Sequence, residues 1–225
     1  MGRRIISVLA VAIASIGGAG LATAATADQE QIRHTAPGQA AARAVIIRRA
    51  DLGGAPGWTG GATKPDQGPN ATCSSLDPKL SDLVEIGDAK TFWKNGPLNI
   101  QSEAQVLQTP AMVLHDWQRE VVDPRVLPCL REIVAKDLPK NARVVSTGRL
   151  PFPAVSTHSR AFRVVMDFTT SRGRLRVFSD VVLVARGSTE ITLTTSAPLA
   201  DAQSMRSIQA AEWRLAVVMF ARVRM

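Results

Sequence analysis

Between Val144 and Leu193 the spacing of apolar residues changes from the helical repeat of about 3.6 to a repeat of 2, and no other feature restricts the fold as strongly. Phe162, Val164, Met166 and Phe168 alternate with Arg163, Val165 and Asp167. Leu175, Val177, Val181 and Leu183 form a second set, Ile191 and Leu193 alternate with threonines, and Val144 and Leu150 bracket a further strand. Ser171-Arg172-Gly173 and Arg186-Gly187-Ser188 are short connections with glycine where a hairpin needs a positive φ, so neighbouring strands run antiparallel.

The flanking segments keep a mainly helical repeat. In residues 39–52, Ala41, Ala44, Val45 and Leu52 share one helical face while Arg43, Arg48 and Arg49 point away, and Gly53-Gly54 ends the helix before the Pro56-Gly57 turn. Residues 59–78 are rich in Gly, Pro, Ser and Asn and read as a loop. Residues 83–87 and 90–93 read as short strands, and 99–108 as a third with Ile100, Ala104 and Val106 on one parity; Asn95-Gly96-Pro97 is a turn signal. Thr109-Pro110 supplies a capping hydroxyl and a first-turn proline for a helix through Val113, Leu114, Trp117 and Val121. Asp123-Pro124 interrupts it, and a second helix through Leu127, Leu130, Ile133 and Val134 carries Cys129. Asp201 or Ser204 caps a closing helix with a stripe of Met205, Ile208, Leu215 and Met219. With no alternating βαβ units, this order predicts an α+β fold, an antiparallel β-sheet covered by helices in a single domain with one disulfide.

The N-terminus predicts export. Arg3-Arg4 precedes an apolar stretch and two small-residue cleavage sites, Ala22-Thr23-Ala24 and Ala25-Thr26-Ala27, the pattern of a secretory signal peptide over residues 1–27 with Ala24 as the alternative cut. Polar residues 28–38 then read as a flexible lead-in, and 39–225 as one extracytoplasmic domain. No later stretch is apolar for the roughly 20 residues needed to span a bilayer. In an oxidising compartment the single pair Cys73 and Cys129, without C-x-x-C spacing, reads as a structural disulfide worth about 4 kcal/mol on the chain-entropy estimate.

The chain carries a formal net charge of +8 from 27 Lys and Arg against 19 Asp and Glu, but Arg43, Arg48, Arg49, Arg149, Arg163, Arg174 and Arg176 are scattered, as on a solvated surface. Four Trp, six Phe and no Tyr, with no basic-aromatic motif, disfavour nucleic acid as a partner.

Asp51-Leu52 followed by Gly57-Trp58, then Cys73, residues 81–87, Cys129 behind a Trp-bearing helix, and the late meander together resemble actinobacterial secreted proteins and lipoproteins, a group similar to the extracellular sensor domains of mycobacterial serine/threonine kinases. The resemblance spans roughly residues 40–222 and implies an α+β sandwich with a surface cleft, an exported location and a binding or sensing role without catalysis. This chain departs from that pattern in lacking a kinase or membrane-spanning part, in its lengthened turn from Asp51 to Trp58, and in having one cysteine pair where two are common.

Catalytic signals are absent. There is no G-x-S-x-G elbow, no H-E-x-x-H, no EF-hand loop and no phosphate loop, so no catalytic residue, cofactor or metal site is expected. His115 and Asp116 are adjacent on a helix and do not face each other. Asp77, Asp82, Glu85 and Asp88 read as solvated loop acids. Trp117 and Trp213 read as core, while Trp58 and Trp93, near turns, are the candidate ligand-binding residues. The reading is an exported, non-catalytic binding or sensor-like module of the cell envelope, taking a small molecule, lipid or envelope partner; the alternative is a secreted hydrolase of unrecognised type.

Overall fold

In the structure, a computed structural model that describes residues 29–64, 73–76 and 78–223, the period-2 segments become long strands of one sheet. In chain order the elements are β1 Gln31–Ile32, α1 Ala36–Val45, a 3-10 turn Arg49–Leu52, β2 Thr59–Thr63, β3 Val84–Asn95, β4 Leu98–Leu107 and α2 Pro110–Trp117, which runs into a π turn Gln118–Val122. Then come α3 Val126–Asp137, β5 Ala142–Arg149, β6 Ser159–Thr170, β7 Gly173–Arg186, β8 Thr189–Pro198 and α4 Ala202–Ala221. The strands lie in the order β1-β3-β4-β8-β7-β6-β5, with β2 also on β3. All pairs are antiparallel except β1 with β3.

Helices cover both faces of this single α+β domain. Alternation along β7 sends Val181, Leu183 and Ala185 to one face, where they meet Trp117, Val121, Leu130 and Ile133 of α2, the π turn and α3. Val182 and Val184 point the other way, to Ala42 and Val45 of α1 and Leu215 and Met219 of α4. Cys73 and Cys129 are bonded, with Cα atoms 5.4 Å apart, and fasten residues 73–76 to α3. The Ser74 amide and hydroxyl donate to Glu132 of α3 beside this bridge, at 2.9 and 2.8 Å.

Capping chemistry fixes the helix starts. Thr109 Oγ1 accepts from the Met112 amide at 3.3 Å, and Asp201 Oδ1 from those of Gln203 and Ser204 at 2.9 and 3.0 Å. The first helix begins at Ala36, inside the segment expected as a lead-in, because Thr35 Oγ1 caps Gly38 and Pro37 sits in the first turn. Gln31–Ile32 pairs with Val84 and Glu85.

Two further boundaries differ from the sequence reading. Residues 83–87 and 90–93 form one strand, bulged between Glu85 and Gly87. Within the expected loop, Thr59–Thr63 is an edge strand; Gly60, at φ +130, lies so close to β3 that a Cβ would meet the Phe92 carbonyl oxygen at 2.1 Å. The mutual approach of Gly38 and Gly87 likewise sets the α1 backbone directly on β3. The signal-peptide segment, residues 1–27, lies outside the described residues, and no helix among the described residues is long and apolar enough to cross a membrane.

Candidate functional site

The face of the sheet beneath α2 changes character along each ladder. Register gives the rows Phe92–Gln101–Thr194–Val181, Lys90–Glu103–Thr192–Leu183 and Asp88–Gln105–Glu190–Ala185. The last member of each row belongs to the apolar core under α2 and α3, and the middle members are buried polar side chains of β4 and β8. The opposite parity of β4, Ile100, Ala104 and Val106, packs into the other core.

Asp116 and Glu120, four residues apart, share the sheet-facing side of α2 and the π turn. With Trp117, Leu183, Glu190 and Thr192 they border a cavity of about 20 Å³, room for one water molecule. Beside it, Gln101 is 3% exposed and neither its amide nitrogen nor its carbonyl oxygen has a hydrogen-bond partner; the hydroxyls of Thr194 and Ser179 on the same face also lack one. A buried polar group without a partner costs about 1–3 kcal/mol; on the opposite face the Glu212 carboxyl and the Thr195 hydroxyl are in the same position.

A hydrogen-bonded knot closes the β1 end of this face. Gln105 Nε2 donates to Glu85 Oε2 and to Glu30 Oε2, both at 2.6 Å, and His34 Nε2 lies 2.5 Å from Glu85 Oε1.

On the opposite face a second buried charge cluster sits under α4. The Arg163 guanidinium donates Nε to Asp180 Oδ1 at 2.6 Å and Nη2 to Oδ2 at 2.5 Å, and lies 5.1 Å over the Phe178 ring. Burial pushes the Asp180 carboxyl up against the pull of Arg163, while Asp180 in turn holds Arg163 protonated. Glu212 of α4 is driven to about 9, by burial first and then by the Asp180 charge, so it holds a proton at neutral pH.

The sequence-predicted residues distribute differently. Trp93 is 8% exposed in the core beneath α1 and donates Nε1 to the Ile47 carbonyl at 3.3 Å, and Trp58 packs partly buried against that core; neither borders the cavity under α2. Trp117 is buried as expected, with His158 edge-on to its ring at 5.7 Å. Trp213, expected in the core, is 39% exposed because it lies off the Met205–Leu215–Met219 stripe of α4. Of the expected loop acids, Asp82 pairs with Arg119 at 2.7 Å, Glu85 and Asp88 are buried strand residues, and Asp77 lies outside the described residues. His115 is exposed while Asp116 points inward. A separate groove of about 370 Å³ between α1 and the end of α4 is walled by alanines, and its one cation, Arg222, is engaged by Asp51 at 2.6 and 2.8 Å. Among the described residues no group of three or more His, Cys, Asp or Glu is placed to hold a metal ion.

No family model matches the chain, and no curated protein matches it. Solved structures resemble the chain at low identity. An uncharacterised protein of Mycobacterium smegmatis, the Rv0999 ortholog, is 12% identical, with a TM-score of 0.45, over 84% of this chain and 99% of its own. LpqN of Mycobacterium tuberculosis, described as involved in cell envelope biogenesis, is 15% identical, with a TM-score of 0.32, over 73% of this chain and 84% of its own. The Ran-binding protein Mog1p of Saccharomyces cerevisiae is 10% identical, with a TM-score of 0.24, over 60% and 75%. Similarity at this level transfers no ligand or activity. None of the three is described as a kinase sensor domain.

Proposed function

We propose that this chain is an exported binding module of the cell envelope, whose ligand contacts the polar face between α2 and strands β4 and β8. Two features support export: the Arg3-Arg4 start with its paired small-residue cleavage sites, and the Cys73–Cys129 bridge, a bond that persists in oxidising compartments. The observation that carries the binding role is the Gln101 amide, buried with both its polar atoms unpartnered among polar side chains of three adjacent strands. A hydrolase reading needs a nucleophile and an oriented base. His158 Nδ1 instead faces the Thr157 hydroxyl at 3.2 Å in a turn, and His34 is tied to Glu85.

The test is native mass spectrometry of protein purified from its own host, with N-terminal sequencing of the same sample. A chain starting at Asp28 that carries a stoichiometric bound species is the expected result. A chain retaining Met1 in the membrane fraction, or repeated recovery of an empty protein, contradicts it.

A further inference from the structure

We infer that a second site, at the loop end of the β5–β6 hairpin, takes a phosphate monoester carried on an apolar group. It is separate from the polar face under α2 and does not depend on the binding role of that face. Arg149 is the last residue of β5 in register with β6, opposite Phe162, and the next amide, that of Leu150, donates to the Ala161 carbonyl at 2.9 Å. Beyond that bond the chain leaves β6 through Pro151 and Pro153. It returns at Ser159, whose Oγ accepts from the Val155 amide at 3.2 Å and donates to the Ser156 carbonyl at 2.8 Å. Between the departing and returning segments lies a pocket of about 290 Å³, near the lower end of the range for small-molecule sites.

The walls of this pocket are of two kinds. Leu150 and Ala161 are buried and Phe152 partly buried in the core beneath α1 and α4, and they make one wall apolar. Arg149 and Arg160 line the same pocket and are exposed. Arg160 donates Nη1 to the Ser159 carbonyl at 2.9 Å, and among the described residues neither guanidinium is ion-paired with a carboxylate. Elsewhere Arg163 closes on Asp180 and Arg222 on Asp51. Two like charges at one concave, apolar-walled place focus positive potential on whatever enters it, and each guanidinium presents a planar fork of donors that matches phosphate oxygens in pairs. Charge selects among anions. A phosphate monoester carries about −1.5 to −2 at neutral pH and three terminal oxygens, matching two guanidiniums, whereas a carboxylate brings one charge and two oxygens. The apolar wall favours an ester with a hydrocarbon body over inorganic phosphate.

Calorimetric titration of the host-purified protein with phenyl phosphate, inorganic phosphate, benzoate and benzyl alcohol tests this. Phenyl phosphate should bind at least about tenfold more tightly than inorganic phosphate or benzoate, and benzyl alcohol not measurably. Its affinity should fall as salt rises, and as pH falls through about 6, where the phosphate takes up a proton. Arg149→Gln and Arg160→Gln should each weaken phenyl phosphate about tenfold with the melting temperature unchanged, since both side chains are exposed. Phe152→Ala should weaken phenyl phosphate and leave inorganic phosphate unchanged, which loss of folding would not do. Phosphatidylcholine vesicles with and without phosphatidic acid separate two sources of the same chemistry. Capture of the phosphatidic acid vesicles alone, lost in both arginine variants, makes the monoester a lipid headgroup; binding of phenyl phosphate without vesicle capture makes it a soluble ester. Failure to bind phenyl phosphate and phosphatidic acid alike overturns the inference, as does phenyl phosphate affinity that is unchanged in both arginine variants or no better than that of benzyl alcohol.

Discussion

Under α4, Arg163 reaches from β6 and closes on both oxygens of Asp180; under α2, Asp116, Glu120 and Glu190 border one small cavity beside the buried polar side chains of β4 and β8. Both clusters sit on neighbouring strands of one sheet, within reach of a covering helix. The first holds a bidentate pair and a ring beneath the guanidinium, with a protonated Glu212 beside them. The second has an apolar wall, Trp117 and Leu183, and lies one row along the sheet from Gln101, an amide without a hydrogen-bond partner. Burial alone does not separate the two clusters; the bidentate closure of Arg163 on Asp180 does.

The contrast breaks first at Arg163. Arg163→Met leaves Asp180, which is 0% exposed, without its partner and should cost about 3–5 kcal/mol in urea unfolding. A loss below 1 kcal/mol would mean the pair is not structural. Glu212 comes next. Between its ordinary value of 4.5 and about 9 the folded chain holds a proton that the unfolded chain has released, so this group's contribution to stability falls as pH rises through that window. Glu212→Gln should flatten that slope, and its advantage over the parent should grow from nothing near pH 4 to a few kcal/mol near pH 9. Parallel stability–pH curves for the two proteins would contradict this. Across the sheet the expectation reverses: Gln101→Leu removes two buried polar atoms that have no hydrogen-bond partner, and should leave stability within about 1 kcal/mol of the parent while weakening ligand binding. The smallest effect belongs to Trp213→Ala, expected within about 0.5 kcal/mol, against about 3–5 kcal/mol for Trp93→Ala in the core.

That last pair shows where the sequence was legible and where it was not. The meander, its two glycine hairpins, the Thr109 and Asp201 caps and the disulfide all follow from local rules, and the structure has them where those rules put them. Trp93 is buried although the turn at residues 95–97 is near in sequence, since β2, concealed in a glycine-rich segment, covers the other edge of its strand. The offset of Trp213 from the α4 stripe was present in the spacing, but tryptophan on a helix is an ordinary core residue. The site residues were visible as a pattern: Gln101, Glu103 and Gln105 are the polar parity of β4. Alternation defines two faces of a strand and does not say whether the polar one meets water or another layer. Asp116 and Glu120 needed the π turn, which local propensity does not announce.

The pairing of β4 with β8 has a consequence for how the molecule assembles. Hairpin β3–β4 and the meander from β5 to β8 are each built from neighbours in sequence, whereas Ser102 meets Leu193 across some ninety residues. The longest strand-to-strand loop closure therefore falls at one seam, where two locally formed halves must find each other. Gln101 and Thr194 face each other across that seam, so the polar row does not exist in either half alone. The site is a property of the completed sheet, and it appears only when β4 has paired with β8.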